Sequence, residues 1–273
     1  MRILQLSDIH LRIDGQLSFG KMNTMENFRM AIDHFEGLKE KPDMYIITGD
    51  LADNGNRISY EVVKAMLGRL NKPVYIVPGN HDNREDFLDI FGEMCPVKKD
   101  ISPYICYSID DYPVRVIGIE TIDQGKHWGK LSEKVAVWLE EKLKEEPEKP
   151  TMVFTHHPPF TTGLTKMDEP FGNVEEFARI LKTHNNLTLC CGHLHRGTIA
   201  SWQGIRTMIC PPISMLMDID FSPEGGDAFY LADPGYLLHT YIDGNIVSYV
   251  ETIPTGADYS GPHPFVYLDS DKH

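Results

Sequence analysis

Five short blocks of oxygen and imidazole donors punctuate the first 195 residues: Asp8-Ile9-His10, Gly49-Asp50, Gly79-Asn80-His81-Asp82, His156 and Gly192-His193-Leu194-His195. Carboxylate, carboxamide and imidazole together suit divalent cations such as Mn, Fe, Co or Zn, and this ligand mixture does not select among them. Asp8, His10 and His195 form one candidate ligand set, and Asn80, His156 and His193 a second. Asp50 is the candidate bridge, the carboxylate that would hold two ions about 3.5–4 Å apart. Such a pair lowers the pKa of a shared water from ~15.7 towards ~7 and neutralises phosphoryl oxygens, so a bridging hydroxide is the expected nucleophile. His81 is expected to contact the phosphoryl oxygen or protonate a departing alkoxide, with Asp82 orienting it through its second ring nitrogen. Gly49, Gly79 and Gly192 precede ligands and are expected to allow tight backbone turns there.

Each of these residues has a plainer reading alone. A strand-end Asp commonly caps a helix, Asn80 suits a turn, and His156 beside His157-Pro158-Pro159 suits a satisfied loop histidine. The ordered recurrence decides against those readings, because every block follows an apolar, strand-like run. His34, His127, His184, His239, His263 and His273 stand outside the constellation and are expected in solvated or core roles.

The elements needed to gather the blocks are legible from periodicity. Residues 3–6, 44–47 and 74–77 read as strands, alternating with amphipathic helices over 22–38, 57–71 and from 84 to 92. That alternation implies parallel strands with right-handed crossovers, and it puts Asp8, Asp50 and Asn80 beyond the strands' carboxyl ends. Residues 104–109 and 114–120 read as a hairpin, 132–145 and 173–184 as helices, and 152–155 and 187–191 as strands. Beyond residue 204 the pattern is mostly β (205–210, 236–242 and 246–251), with a turn at Asp243-Gly244-Asn245. Residues 1–253 are expected to form one catalytic domain. The Pro/Gly-rich stretch 211–235 is a candidate lid or specificity loop. Residues 254–273 form a tail that is a candidate oligomer contact.

The formal charge is −14, from 40 acidic against 26 basic residues, which argues against duplex nucleic acid and anionic membranes as partners. Five cysteines without a Cys-x-x-Cys pair read as buried, reduced thiols. No apolar leader or stretch of ~20 apolar residues is found, so a cytoplasmic location is expected.

With Asp8/His10, Gly49-Asp50, Gly79-Asn80-His81-Asp82, His156 and Gly192-His193-Leu194-His195 all in place, the sequence resembles the calcineurin-like metallophosphoesterase superfamily, whose pattern is D-x-H, G-D, G-N-H-[DE], H and G-H-x-H. The likeness extends over about residues 1–265. Together with the His-His-Pro-Pro segment at 156–159, it points to the class III cyclic nucleotide phosphodiesterase branch, which includes bacterial glycerophosphodiester phosphodiesterases. The resemblance implies an α/β fold, a four-layer αββα sandwich of two mixed sheets flanked by helices. It also implies a binuclear metal centre, small phosphodiester substrates and a possible homo-oligomer. Ile213, Met215, Leu216 and Met217 are expected to form an apolar pocket wall. A phosphomonoesterase or pyrophosphatase using the same site is the alternative enzyme reading. A catalytically silent scaffold is disfavoured because all the positions survive.

Overall fold

A computed structural model describes residues 1–13, 15–223, 225, 227–255 and 260–264. In chain order the strands are β1 (Arg2–Leu6), β2 (Met44–Thr48), β3 (Val74–Val77), β4 (Tyr107–Ile109), β5 (Arg115–Gly118), β6 (Thr151–Phe154), β7 (Leu187–Cys191), β8 (Thr198–Trp202), β9 (Ile205–Ile209), β10 (Leu216–Met217), β11 (Ala228–Leu231), β12 (Gly235–Ile242), β13 (Asn245–Thr252) and β14 (Ser260–Pro264). The α-helices are α1 (Thr24–Gly37), α2 (Arg57–Leu67), α3 (Arg84–Phe91), α4 (Glu133–Glu145) and α5 (Val174–Leu181).

Two mixed sheets carry the fold. The first has the order β13-β12-β1-β2-β3 and the second β4-β5-β6-β7-β9-β8, with a small sheet β10-β11-β14 beside them. Strands β1, β2 and β3 are parallel, as are β5, β6, β7 and β9. Side chains of successive strand residues alternate between faces. Accordingly Val116, Met152, Phe154 and Cys190 join the core shared with the first sheet, while Ile117, Val153, Leu189 and Cys191 pack beneath α4 and α5. Helices α1, α2 and α3 cover the other outer face through Phe28, Phe35, Tyr60, Val63, Phe87 and Phe91. The result is the expected αββα sandwich.

Local signals explain the boundaries. Asn23, Asn56 and Asn83 cap α1, α2 and α3 by accepting first-turn N–H groups, so α1 starts after Met22 rather than at it. The hairpin expected over 104–120 is shorter, because the Ile105 N–H donates to the Glu120 carboxylate at 3.0 Å instead of joining the strand ladder. Asp243 and Gly244 both have positive φ, as a two-residue hairpin turn requires. Strands β10 and β11 give 211–235 regular structure of its own. Residues 256–259 and 265–273 of the expected tail lie outside the described residues. All five cysteines are buried and free. No helix among the described residues is long and apolar enough to cross a membrane.

A buried polar chain ties the two sheets together. His239 of β12 bonds Ser248 Oγ at 2.7 Å and Gln5 Oε1 at 3.1 Å, and the Gln5 amide donates across the interface to the Cys191 carbonyl at 3.0 Å. Burial depresses the His239 pKa to about 3. The folded state therefore keeps this ring neutral while the unfolded chain protonates it below about 6.5. Stability from this group is intact above pH 6.5 and is lost as pH falls towards 3. Metal-stripped wild type should thus lose stability more steeply than His239→Gln between pH 6 and 4, by roughly 1.4 kcal/mol per pH unit, in urea unfolding. Parallel slopes would show that His239 takes up a proton without unfolding.

Candidate metal centre

Every candidate ligand lies a few residues past the carboxyl end of a strand: Asp8 after β1, Asp50 after β2, Asn80 after β3, His156 after β6 and His193 after β7. The loops that carry them are joined by backbone bonds. His10 N–H donates to the Asp50 carbonyl at 2.9 Å, Gly192 N–H to His156 at 2.9 Å, and Met217 N–H to His195 at 3.0 Å. Asp8, His10, Asp50, His193 and His195 all have positive φ. Non-glycine residues held there cost about 1–3 kcal/mol each and persist where the surroundings over-determine them. At Gly79 the constraint is closeness, since a Cβ would stand 2.1 Å from Asp50 Oδ1. Gly49 meets the expectation of a turn, with φ +92°.

The donor atoms converge in two groups. Ligand atoms of Asp8, His10, Asp50 and His195 all lie within 4.8 Å of one another, and His10 Nε2 faces His195 Nε2 at 3.0 Å. In the second group, Asn80 Oδ1 is 3.0 Å from His156 Nε2 and 3.1 Å from His193 Nδ1. Asp50 Oδ2 lies between the groups, 3.3 Å from His10 Nε2 and 3.3 Å from His156 Nε2. Converging imidazole, carboxylate and carboxamide donors fit a divalent ion in each group.

Burial and charge oppose each other here. Burial disfavours a charged Asp50, but His156 and His10 outweigh it and hold the carboxyl well below the usual range. Burial likewise works against a charged His156, and Asp50 overcomes it, raising the ring to about 9. His10 is raised for the same reason by Asp50 and Asp53. Burial keeps His193 and His195 low. Metal uptake must therefore displace protons from His10 and His156, so affinity falls with falling pH.

His81 does not pair with Asp82 as expected. Its Nδ1–H donates to the Asp53 carbonyl at 2.9 Å, and burial lowers the ring to about 4. Asp82 points the other way and staples the loops: it accepts from Gly79 N–H at 2.9 Å, Leu51 N–H at 3.2 Å and Tyr60 Oη at 2.9 Å. Two loop N–H groups and the Tyr60 hydroxyl of α2 claim its oxygens, which is why none reaches His81.

Several residues around the centre carry no motif. Asp53 accepts from His10 Nδ1 at 3.3 Å and pairs with Arg12. His157 bonds Thr121 Oγ1 at 2.9 Å and donates to the His127 carbonyl at 3.0 Å, and His127 is solvent-exposed, as expected, at the rim of the cavity. The cavity over the centre has a volume of about 340 Å³. Phe19, Met167, Met215 and Met217 give it apolar walls, and Arg12, Lys166, Glu169 and Asp227 give it charge. Of the expected apolar wall, Ile213 instead packs in the core, because the Ile213 N–H pairs with the Ser7 carbonyl and turns the side chain inward.

An αββα sandwich with this donor set at one strand edge defines a metallophosphoesterase. A model of calcineurin-like phosphoesterases matches residues 1–197, and the chain belongs to that family. It is 32% identical over 269 residues to a probable glycerophosphodiester phosphodiesterase, GpdQ, of Arcobacter nitrofigilis, covering 97% of both chains. It is 24% identical to a 3',5'-cyclic adenosine monophosphate phosphodiesterase, CpdA, of Vibrio vulnificus, covering 94% of this chain and 92% of that one. The fold matches a purple acid phosphatase, PPD1, from yellow lupin at a TM-score of 0.63 and 15% identity, over 94% of this chain and 52% of the lupin enzyme.

Proposed function

We propose that the protein hydrolyses small phosphodiesters, glycerophosphodiesters or cyclic nucleotides, with two divalent ions. Asp8, His10, Asp50 and His195 would hold one ion, and Asp50, Asn80, His156 and His193 the other. The observation that carries this reading is Asp50, one carboxylate oxygen equidistant from an imidazole of each set. The names of the relatives support the diester class. When bound, the ions supply an acidified water and positive charge for the phosphoryl oxygens.

The remaining work falls to side chains. The Asp53 carbonyl fixes the proton of His81 on Nδ1, and burial keeps the ring neutral, so Nε2 is the nitrogen that exchanges a proton. His81 Nε2 would hold the proton that the acidified water releases, leaving hydroxide to form the new P–O bond. It passes that proton to the alkoxide as the ester P–O bond breaks, giving a monoester and an alcohol. The Phe19, Met167, Met215 and Met217 walls exclude water around the alcohol portion.

Metal-stripped protein reloaded with Mn, Co or Zn should turn over bis(p-nitrophenyl) phosphate faster than p-nitrophenyl phosphate, and then glycerophosphodiesters or cyclic nucleotides. Preference for the monoester would transfer the site to phosphomonoester chemistry. No turnover of any of these diesters with two ions bound would sink the proposal.

A further inference from the structure

Loop 160–171 brings an additional carboxylate to the second ligand group. Asp168 knots the loop by accepting from Thr162 N–H at 2.6 Å, Thr162 Oγ1 at 2.8 Å and Gly163 N–H at 2.6 Å. Phe171 stacks on Phe177 of α5 with ring centroids 5.6 Å apart. Between these anchors Glu169 enters the cavity. Its Oε2 is buried without a hydrogen-bond partner among the described residues, and it faces His193 Nε2 at 3.8 Å.

Three of the four histidines in the proposed ligand sets have their outward nitrogen bonded. His10 Nδ1 meets Asp53 Oδ1 at 3.3 Å, His156 Nδ1 meets the Thr48 carbonyl at 2.7 Å, and His195 Nδ1 meets the Met215 carbonyl at 3.1 Å. His193 is reversed, presenting Nδ1 to Asn80. An imidazole that ligates through Nδ1 carries its proton on Nε2, and that enclosed N–H requires an acceptor. Glu169 Oε2 lies on that side, about 1 Å beyond ordinary hydrogen-bond distance.

We propose that Glu169 is a positioning residue whose Oε2 accepts the Nε2–H of His193, fixing the tautomer and ring angle with which Nδ1 meets the ion shared with Asn80 and His156. This rests on the two-ion reading above. The carboxylate also strengthens the imidazole as a donor, so it sets the affinity of the second ion and leaves the first alone.

The test is titration of metal-stripped wild type, Glu169→Gln and Glu169→Ala with Mn(II) by calorimetry, joined to the ring ¹⁵N spectrum of His193 in Zn-loaded protein. Glu169→Ala should weaken one of two sites by about 10–100-fold and shift the Nε2 resonance, with Glu169→Gln, which keeps an acceptor oxygen, recovering most of the affinity. Two unaltered sites with a raised KM for a hydroxyl-bearing diester would overturn the role and make Glu169 a substrate contact. Equal weakening of both sites with a lower apo melting temperature would overturn it in favour of general support of the fold. Wild type that binds a single ion would overturn the two-ion reading, and this role with it; two sites in wild type that Glu169→Ala leaves intact would overturn this role alone.

Discussion

Asp50→Asn should lower kcat/KM for diesters by about a thousandfold or more, some 4 kcal/mol of transition-state stabilisation, and remove at least one of the two ions. The size follows from position. Asp50 Oδ2 is 3.3 Å from an imidazole of each ligand group, so this residue alone among the candidates would serve both ions. Its other oxygen accepts the His81 N–H at 3.0 Å, which couples the bridge to the loop carrying Asn80 and His81. Asparagine keeps the shape and one acceptor oxygen but lacks the charge that offsets two cations. The apo protein should still fold, because at neutral pH His10 and His156 can shed their protons when the carboxylate is gone, leaving no uncompensated buried charge. Thermal unfolding separates the effects: added Mn should raise the melting temperature of wild type strongly and that of Asp50→Asn much less. Metal counts of two per chain with turnover within about tenfold of wild type would remove Asp50 from the bridging role.

The ligand blocks could be read from sequence because strand and ligand are contiguous. Four or five apolar residues place the strand, and Asp8, Asp50, Asn80, His156 and His193 follow within three positions of its end. Crossovers align the ends of β1, β2 and β3 in one sheet and of β6 and β7 in the other, and the packing of the two sheets brings both sets of ends together. What surrounds the ligands had no such local signature. Asp53 lies in the loop leaving β2, three residues after Asp50, and its carboxylate reaches back across 43 positions to His10. Glu169 arrives on a loop that Asp168 knots onto Thr162 and Gly163, and His127 on a loop held by His157 from 30 positions away, and neither arrangement has a signature in the sequence pattern. The misreading of Asp82 has the same origin: adjacency to His81 suggested a pair, while Tyr60, Gly79 and Leu51 claim its oxygens. Strand β8 was missed because Thr198–Trp202 is a half-exposed strand at a sheet edge, without the apolar run that marks its buried neighbour β9.

His81→Ala should lower kcat by about 10²–10⁴-fold for diesters with alkoxide leaving groups, and far less for bis(p-nitrophenyl) phosphate. The contrast arises from what leaves. An alkoxide needs a proton as its bond to phosphorus breaks, whereas p-nitrophenolate departs as a stable anion and gains little from one. His81 is suited to the first case because its Nδ1–H is committed to the Asp53 carbonyl and burial holds the ring neutral, so Nε2 can accept a proton early in the reaction and release it later. Depression to about 4 also sets the sign with pH. Above that value the ring is neutral and competent to accept; below it the ring is already protonated, so this route closes as pH falls. The orienting bond comes from backbone, so no substitution at Asp53 removes the acceptor itself, and the imidazole is the piece to delete. Metal uptake by His81→Ala should match wild type, since the ring belongs to neither proposed ligand set. An equal loss for alkyl and nitrophenyl leaving groups, with both ions retained, would show that His81 contacts the phosphoryl oxygen rather than carrying the proton.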